Sequence, residues 1–274
     1  MQLYLDSYGA WLSVRDGRFR IRLTSGEEHF FAVRQVSAIL LTKGTGMSTD
    51  AALLAVEHHI PVLLLDAQTH FPLAQVSSGR PGNIATVRKN QPSFSRSAAG
   101  YSWVAETIAE KIARQRTHLH TLTENAAAPP GFAADAALAL KVIDAQERTF
   151  RQWRPTENWN ATEAGKTAEL FRGREGTASR LYFQQIARYL DGRLGFGNRQ
   201  KRPAYDPFNA LLNYLYGMLY TSVHLSMVKS GIDPFIGVLH ADRYGDTGAT
   251  LVFDAIEPYR PWADQVAVKK NTCQ

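Results

Sequence analysis

The stretch Trp11-Leu12-Ser13-Val14-Arg15-Asp16-Gly17-Arg18-Phe19-Arg20-Ile21-Arg22-Leu23 decides how this chain begins to fold. Apolar and polar residues alternate from Leu3 to Val14 and again through Phe19, Ile21 and Leu23. That period places one set of side chains on one face of a strand. Arg15-Asp16-Gly17 between the two runs supplies a turn, so the pair predicts a hairpin. Working outward, Glu28 to Val33 and Ser37 to Leu41 read as further strands. Ser48 to His58 reads as a helix capped by Ser48, with Ala51, Leu54, Ala55 and His58 on one face. Ile60-Pro61-Val62-Leu63-Leu64-Leu65-Asp66 then reads as a buried strand.

The period changes after Asn90-Gln91-Pro92. Trp103 to Leu122 carries apolar residues at helical spacing, Ile108, Ile112 and Leu119 among them. Ala126-Ala127-Ala128-Pro129-Pro130-Gly131 interrupts the chain. Helices are expected over Ala133 to Arg151, Glu169 to Leu190 and Pro207 to Val228, the last strongly apolar. The sequence therefore predicts an α+β chain. A small N-terminal β-rich domain covers residues 1–75, a linker 76–98, and a larger all-α domain 99–274.

Of 274 residues, 45% are hydrophobic and 20% charged, enough for a substantial core and too apolar for disorder. No apolar run approaches the roughly 20 residues that cross a bilayer, and the opening Met-Gln-Leu-Tyr-Leu-Asp does not resemble a secretory signal. The only cysteine is Cys273, so no intramolecular disulfide forms; a cytoplasmic protein with no membrane partner is expected. The net charge is +6, and its distribution says more than its sum. Basic residues concentrate at Arg80, Arg88, Lys89, Arg96, Lys111, Arg114 and Arg116, and again from Arg188 to Arg202. Such concentrations serve either as phosphate-neutralising surface or as solvated helix faces.

Three polar features stand in the helical part. They are Arg174-Glu175-Gly176-Thr177-Ala178-Ser179-Arg180-Leu181-Tyr182-Phe183, Gly237-Val238-Leu239-His240 and Phe253-Asp254-Ala255-Ile256-Glu257-Pro258-Tyr259-Arg260-Pro261. If folding gathers Glu175, His240, Asp254 and Glu257, hard carboxylate oxygens and one imidazole suit Mg2+ or Mn2+. Each residue also has a bland reading. Glu175 reads as a helix-end residue, His240 as a satisfied, partly buried one, Asp254 as a cap, and Glu257 as the start of a helix with Pro258 at its first position. There is no Walker loop, nucleophile elbow or Rossmann fingerprint.

Taken in order, these segments resemble the CRISPR-associated integrase and endonuclease family, Cas-one. Beside the three features, the resemblance rests on the block Ile39 to Asp66 and on Glu110-Lys111-Ile112-Ala113-Arg114-Gln115. It rests also on Arg202-Pro203 with Asp206-Pro207-Phe208-Asn209-Ala210-Leu211-Leu212-Asn213-Tyr214, and on Gly231-Ile232-Asp233-Pro234-Phe235-Ile236 leading into the second feature. Val238 stands where that family commonly has an aromatic residue, and Ser179 where it has alanine.

The resemblance implies that 99–274 is a catalytic domain with Glu175, His240 and Glu257 as ligands of a divalent metal, Mg2+ or Mn2+, and Asp254 as an acidic catalytic neighbour. It implies DNA contacts from Arg180 and Tyr182, to which the basic stretches add Arg88, Lys89, Arg199, Lys201 and Arg202. The implied activity joins 3′-hydroxyl ends of prespacer DNA to a CRISPR repeat by transesterification. The implied partners are double-stranded and branched DNA, a second copy of the chain, and the small Cas-two protein. Two rivals are a transposon integrase of the same superfamily and a DNA-binding scaffold whose acids serve structure alone.

Overall fold

The computed structural model describes residues 1–68, 70–76, 84–200, 203–240 and 248–272. Its strands are β1 Gln2–Leu5, β2 Trp11–Arg15, β3 Arg18–Arg22, β4 Glu28–Ala32, β5 Ala38–Thr42, β6 Gly46–Met47, β7 Val62–Leu65 and β8 Pro72–Val76. Its helices are α1 Thr49–Glu57, α2 Ile84–Arg96, α3 Ala98–Thr123, α4 Phe132–Gln152, α5 Ala161–Leu190, α6 Pro207–Lys229, α7 Thr250–Ile256 and α8 Arg260–Thr272. Strands come first and helices second, as the sequence predicts. By packing the chain forms two units: residues 1–89 with 220–234, and residues 90–219 with 235–274. The last turns of α6 thus count with the strands, and Ile84–Arg96, inside the stretch expected as a linker, is helical.

In the first unit the hairpin forms as expected. β2 and β3 pair antiparallel, Leu12 opposite Ile21 and Val14 opposite Phe19. Asp16 and Gly17 both take positive φ, at 51° and 67°, which matches a tight turn to the strand twist. The single strand expected over Leu3 to Val14 is instead two. Gly9 at φ +79° breaks the run, and its N–H donates to the Gly44 carbonyl at 2.8 Å. The halves then enter different sheets, ordered β1-β5-β7-β8 and β4-β3-β2-β6. Alternation alone cannot show such a break, because both halves keep a buried face. Leu3, Leu12, Phe19, Ile39, Ala51 and Val62 build the shared core, and α1 starts at Ser48, whose hydroxyl accepts from Ala51 N at 3.2 Å.

In the second unit, α3, α4 and α5 pack around Ile108, Ile112, Leu119, Phe132, Ile143, Phe150, Phe171 and Ile186. Burying each such side chain is worth about 1.5–3 kcal/mol. α5 begins eight residues before the expected Glu169, because Asn160 Oδ1 accepts from the N–H groups of Thr162 at 2.9 Å and Glu163 at 3.1 Å. α6 begins where expected: Asp206 Oδ1 accepts from Asn209 N at 2.7 Å, with Pro207 next. α2 runs through Pro92, and the break falls at Ser97, which caps α3 through Gly100 N. Gly100 is required there, since a Cβ would collide with the Phe94 carbonyl.

Candidate active site

Within the helical unit a cavity of about 450 Å³ is lined by Lys111, Arg172, Glu175, Ser179, Arg180, Arg199, His240, Glu257 and Arg260, among others. Each element contributes by its period. On α3, Lys111 falls three residues after Ile108 and four before Gln115, on the buried stripe. On α5, Glu175 and Ser179 are four apart, so both face the cavity, and Ser179 Oγ donates to Glu175 Oε1 at 2.7 Å. Glu257 opens the short helical turn Glu257–Tyr259, with Pro258 in its first turn.

The two glutamates converge on one cation, the ammonium of Lys111. Lys111 Nζ bridges Glu175 Oε1 and Glu257 Oε2, the second at 2.5 Å, and the Lys111 side chain is only 7% exposed. Arg260 Nε adds an ion pair to Glu257 Oε1 at 3.2 Å. Burial works against the Glu175 carboxylate, but the neighbouring Lys111 charge and hydrogen bond outweigh it, and its pKa falls to about 2. Glu257 is pulled the same way: burial opposes ionisation, while Arg260 and Lys111 favour it. Burial also opposes charge on Lys111, yet Glu175 and Glu257 hold its pKa above the ordinary value. All these groups are therefore ionised at neutral pH.

Asp254 organises the next segment. Its carboxylate is 1% exposed and accepts from the backbone N–H of Val238 at 2.7 Å, Leu239 at 3.1 Å and His240 at 3.2 Å. Asp254 Oδ1 also lies 2.6 Å from His240 Nδ1. The natural tautomer donates Nδ1–H to the carboxylate and leaves the Nε2 lone pair free to bind. Arg172 Nη1 donates to the Leu239 carbonyl at 3.2 Å and steadies the same loop.

Behind this lies a buried polar cluster. Tyr216 OH donates to Asp264 Oδ1 at 2.5 Å, and the guanidinium groups of Arg199 and Arg260 each lie 5.1 Å from the Tyr216 ring centre. Burial raises Asp264 to about 6. His118 Nδ1 meets Tyr182 OH at 2.7 Å, and burial lowers the imidazole to about 4.

The structure thus brings Glu175, His240 and Glu257 to one cavity, with Asp254 beneath His240. Arg180 and Arg199 line it too, and Arg199 is held by Asn209 at 3.0 Å and Asn213 at 2.7 Å. Arg88 and Lys89 are exposed on α2. Tyr182 is wholly buried and, as placed, offers no surface to DNA. Lys201 and Arg202 lie outside the described residues, as does Cys273. The basic stretch before residue 120 is depleted by folding: Lys111 is buried, while Arg114 pairs with Glu110 and Arg116 with Asp144 and Glu147. Sequence reading did not single out Lys111, Arg260 or Ser179 as site residues. A lysine on the stripe of Ile108 and Ile112 was the available signal.

Among the described residues, no three His, Cys, Asp or Glu side chains stand close enough together to hold one ion. The donor chemistry nevertheless fits a hard divalent cation. Two ionised carboxylates already converge on one cationic group, the Lys111 ammonium.

A strand-rich unit followed by a helical one is a layout shared with several solved structures. The Cas6-RT-Cas1–Cas2 complex matches over 98% of this chain and 27% of its own, with a TM-score of 0.76 at 22% identity. A casposase bound to integration product gives 0.72 at 18% identity, over 98% of this chain and 72% of its own. These likenesses concern the fold. The family model described as CRISPR associated protein Cas1 matches residues 3–271, and the chain belongs to that family. A CRISPR-associated endonuclease Cas1 from Korarchaeum cryptofilum is 26% identical over 96% of this chain and 75% of its own length. Another from Rhodospirillum rubrum is 33% identical over 84% of this chain and 63% of its own. No described helix is long and apolar enough to cross a membrane.

Proposed function

We propose that the protein is a metal-dependent DNA integrase and endonuclease of CRISPR adaptation, joining 3′-hydroxyl ends of prespacer DNA to the CRISPR repeat by transesterification. The observation that carries this is the gathering of Glu175, Glu257 and His240 in one arginine-lined cavity, with Asp254 fixing the imidazole. Glu175, Glu257 and His240 Nε2 would hold Mg2+ or Mn2+, which when bound would polarise a phosphodiester and ease ionisation of an attacking hydroxyl. Asp254 keeps the Nε2 lone pair turned outward. Arg260 keeps Glu257 ionised. Arg180 and Arg199 set positive charge where a phosphate would lie, and exposed Arg88 and Lys89 would hold duplex backbone in a salt-dependent way. The likeness in fold to a Cas6-RT-Cas1–Cas2 complex and to a casposase bound to integration product supports DNA and Cas2 as partners. Two strand transfers need two such cavities, hence a second copy of the chain.

The test uses a short duplex with 3′-hydroxyls and a supercoiled plasmid carrying a CRISPR repeat, in Mg2+ or Mn2+. The native protein should join them, and His240→Ala should lose about 100-fold or more, since losing even an outer hydrogen-bond partner of a metal ligand costs roughly 10–100-fold. Joining that survives in His240→Ala would remove His240 from the ligand set. No joining by the native protein, even with Cas2 added, would favour the scaffold reading.

A further inference from the structure

We infer that Lys111 is the resident counter-cation of the Glu175–Glu257 pair and competes with the divalent metal for the same place. The inference rests on the metal reading above and adds a residue to it.

Three observations converge. Among the described residues Lys111 is one of the few buried charged side chains, and it comes from a different helix from either glutamate. Its ammonium touches one oxygen of each carboxylate, which is the bridging position an ion between them would take. Of the two remaining oxygens, Glu257 Oε1 is engaged from outside by Arg260. Lys111 and Arg260 together balance Glu175 and Glu257, so the cluster is neutral as it stands. An ion entering with Lys111 in place would leave the buried cluster doubly positive. Without Lys111 the cluster carries a net negative charge, which draws a divalent ion in. Lys111 therefore keeps two like charges together when no metal is bound and has to withdraw when one arrives. A lysine can make that movement, since its charge sits on a flexible four-carbon stem.

The test is Mn2+ uptake by the metal-stripped full chain, followed by calorimetry. Lys111→Met should bind Mn2+ at least tenfold more tightly than the native chain. A lysine needed only for structure gives no gain, so unchanged or weaker binding overturns the inference. Tightening that persists in Lys111→Met/Glu257→Gln would put the ion elsewhere and overturn it as well. If neither the native chain nor Lys111→Met takes up Mn2+, the metal reading itself fails, and this inference with it. A second measurement needs no variant. Acetylation of Lys111 by sulfo-NHS acetate, read by mass spectrometry against exposed Lys166, should rise at least threefold when Mn2+ is added. Labelling that stays the same with Mn2+ bound overturns the inference.

Discussion

The strand-rich unit buries only uncharged polar groups and one histidine among its described residues: Ser13, Thr42, Thr221 and His224. The helical unit buries Lys111, Glu147, Asp254, Glu257 and Asp264, all charged types. The first unit is held by apolar packing between paired strands, whereas the second also carries ions out of water. Burying a charge costs several kcal/mol unless it is paired and hydrogen-bonded. Four of these residues meet that condition through ion pairs or several hydrogen bonds, and Asp264 meets it by a hydrogen bond from Tyr216 and a pKa raised towards neutrality. The difference locates chemistry: a chain accepts that cost where the charges do something that packing cannot.

Four changes would break or sharpen the contrast. Phe19→Ala empties a fully buried site at the centre of the strand-rich core and should cost about 3–5 kcal/mol in urea unfolding. A loss under 1 kcal/mol would mean that packing is not what holds that unit. Asp254→Ala strands three backbone N–H groups and the His240 imidazole, and should cost about 3 kcal/mol while abolishing DNA joining. Asp254→Asn keeps some acceptors and should recover part of the stability without recovering activity.

The third change reads pH. His118 in the folded chain titrates near 4, below its ordinary 6.5, so the unfolded chain binds more protons and acidification through that window lowers stability. Asp264 titrates near 6, above its ordinary 3.8, so the folded chain binds more protons and rising pH through that window lowers stability. The two oppose each other between about pH 4.5 and 6. His118→Gln should therefore lose stability as pH rises there, and Asp264→Asn should gain it, each by on the order of 2 kcal/mol. Parallel slopes in the two variants would refute the assignment. The smallest effect belongs to exposed Lys166, paired with Glu163 at 3.0 Å: Lys166→Ala should change stability by less than about 0.5 kcal/mol.

What the sequence determined by itself was local or periodic. Positive-φ Asp16-Gly17 between alternating runs made the hairpin, Ser48 capped α1, and Asp206-Pro207 started α6, because these signals act within a few residues. The order of motifs also marked Glu175, His240, Asp254 and Glu257 as candidates, and folding brings three of them to one cavity with Asp254 against His240. Only the tertiary structure decided that β1 and β2 enter different sheets, since Gly9 is anchored by Gly44, thirty-five residues away. Only it assigned Lys111 to the glutamates rather than to DNA, and Tyr182 to the core rather than to the surface. Charge along a chain says how many ions there are. Which of them leave water together depends on helices that meet from distant parts of the sequence, and no local pattern encodes that meeting.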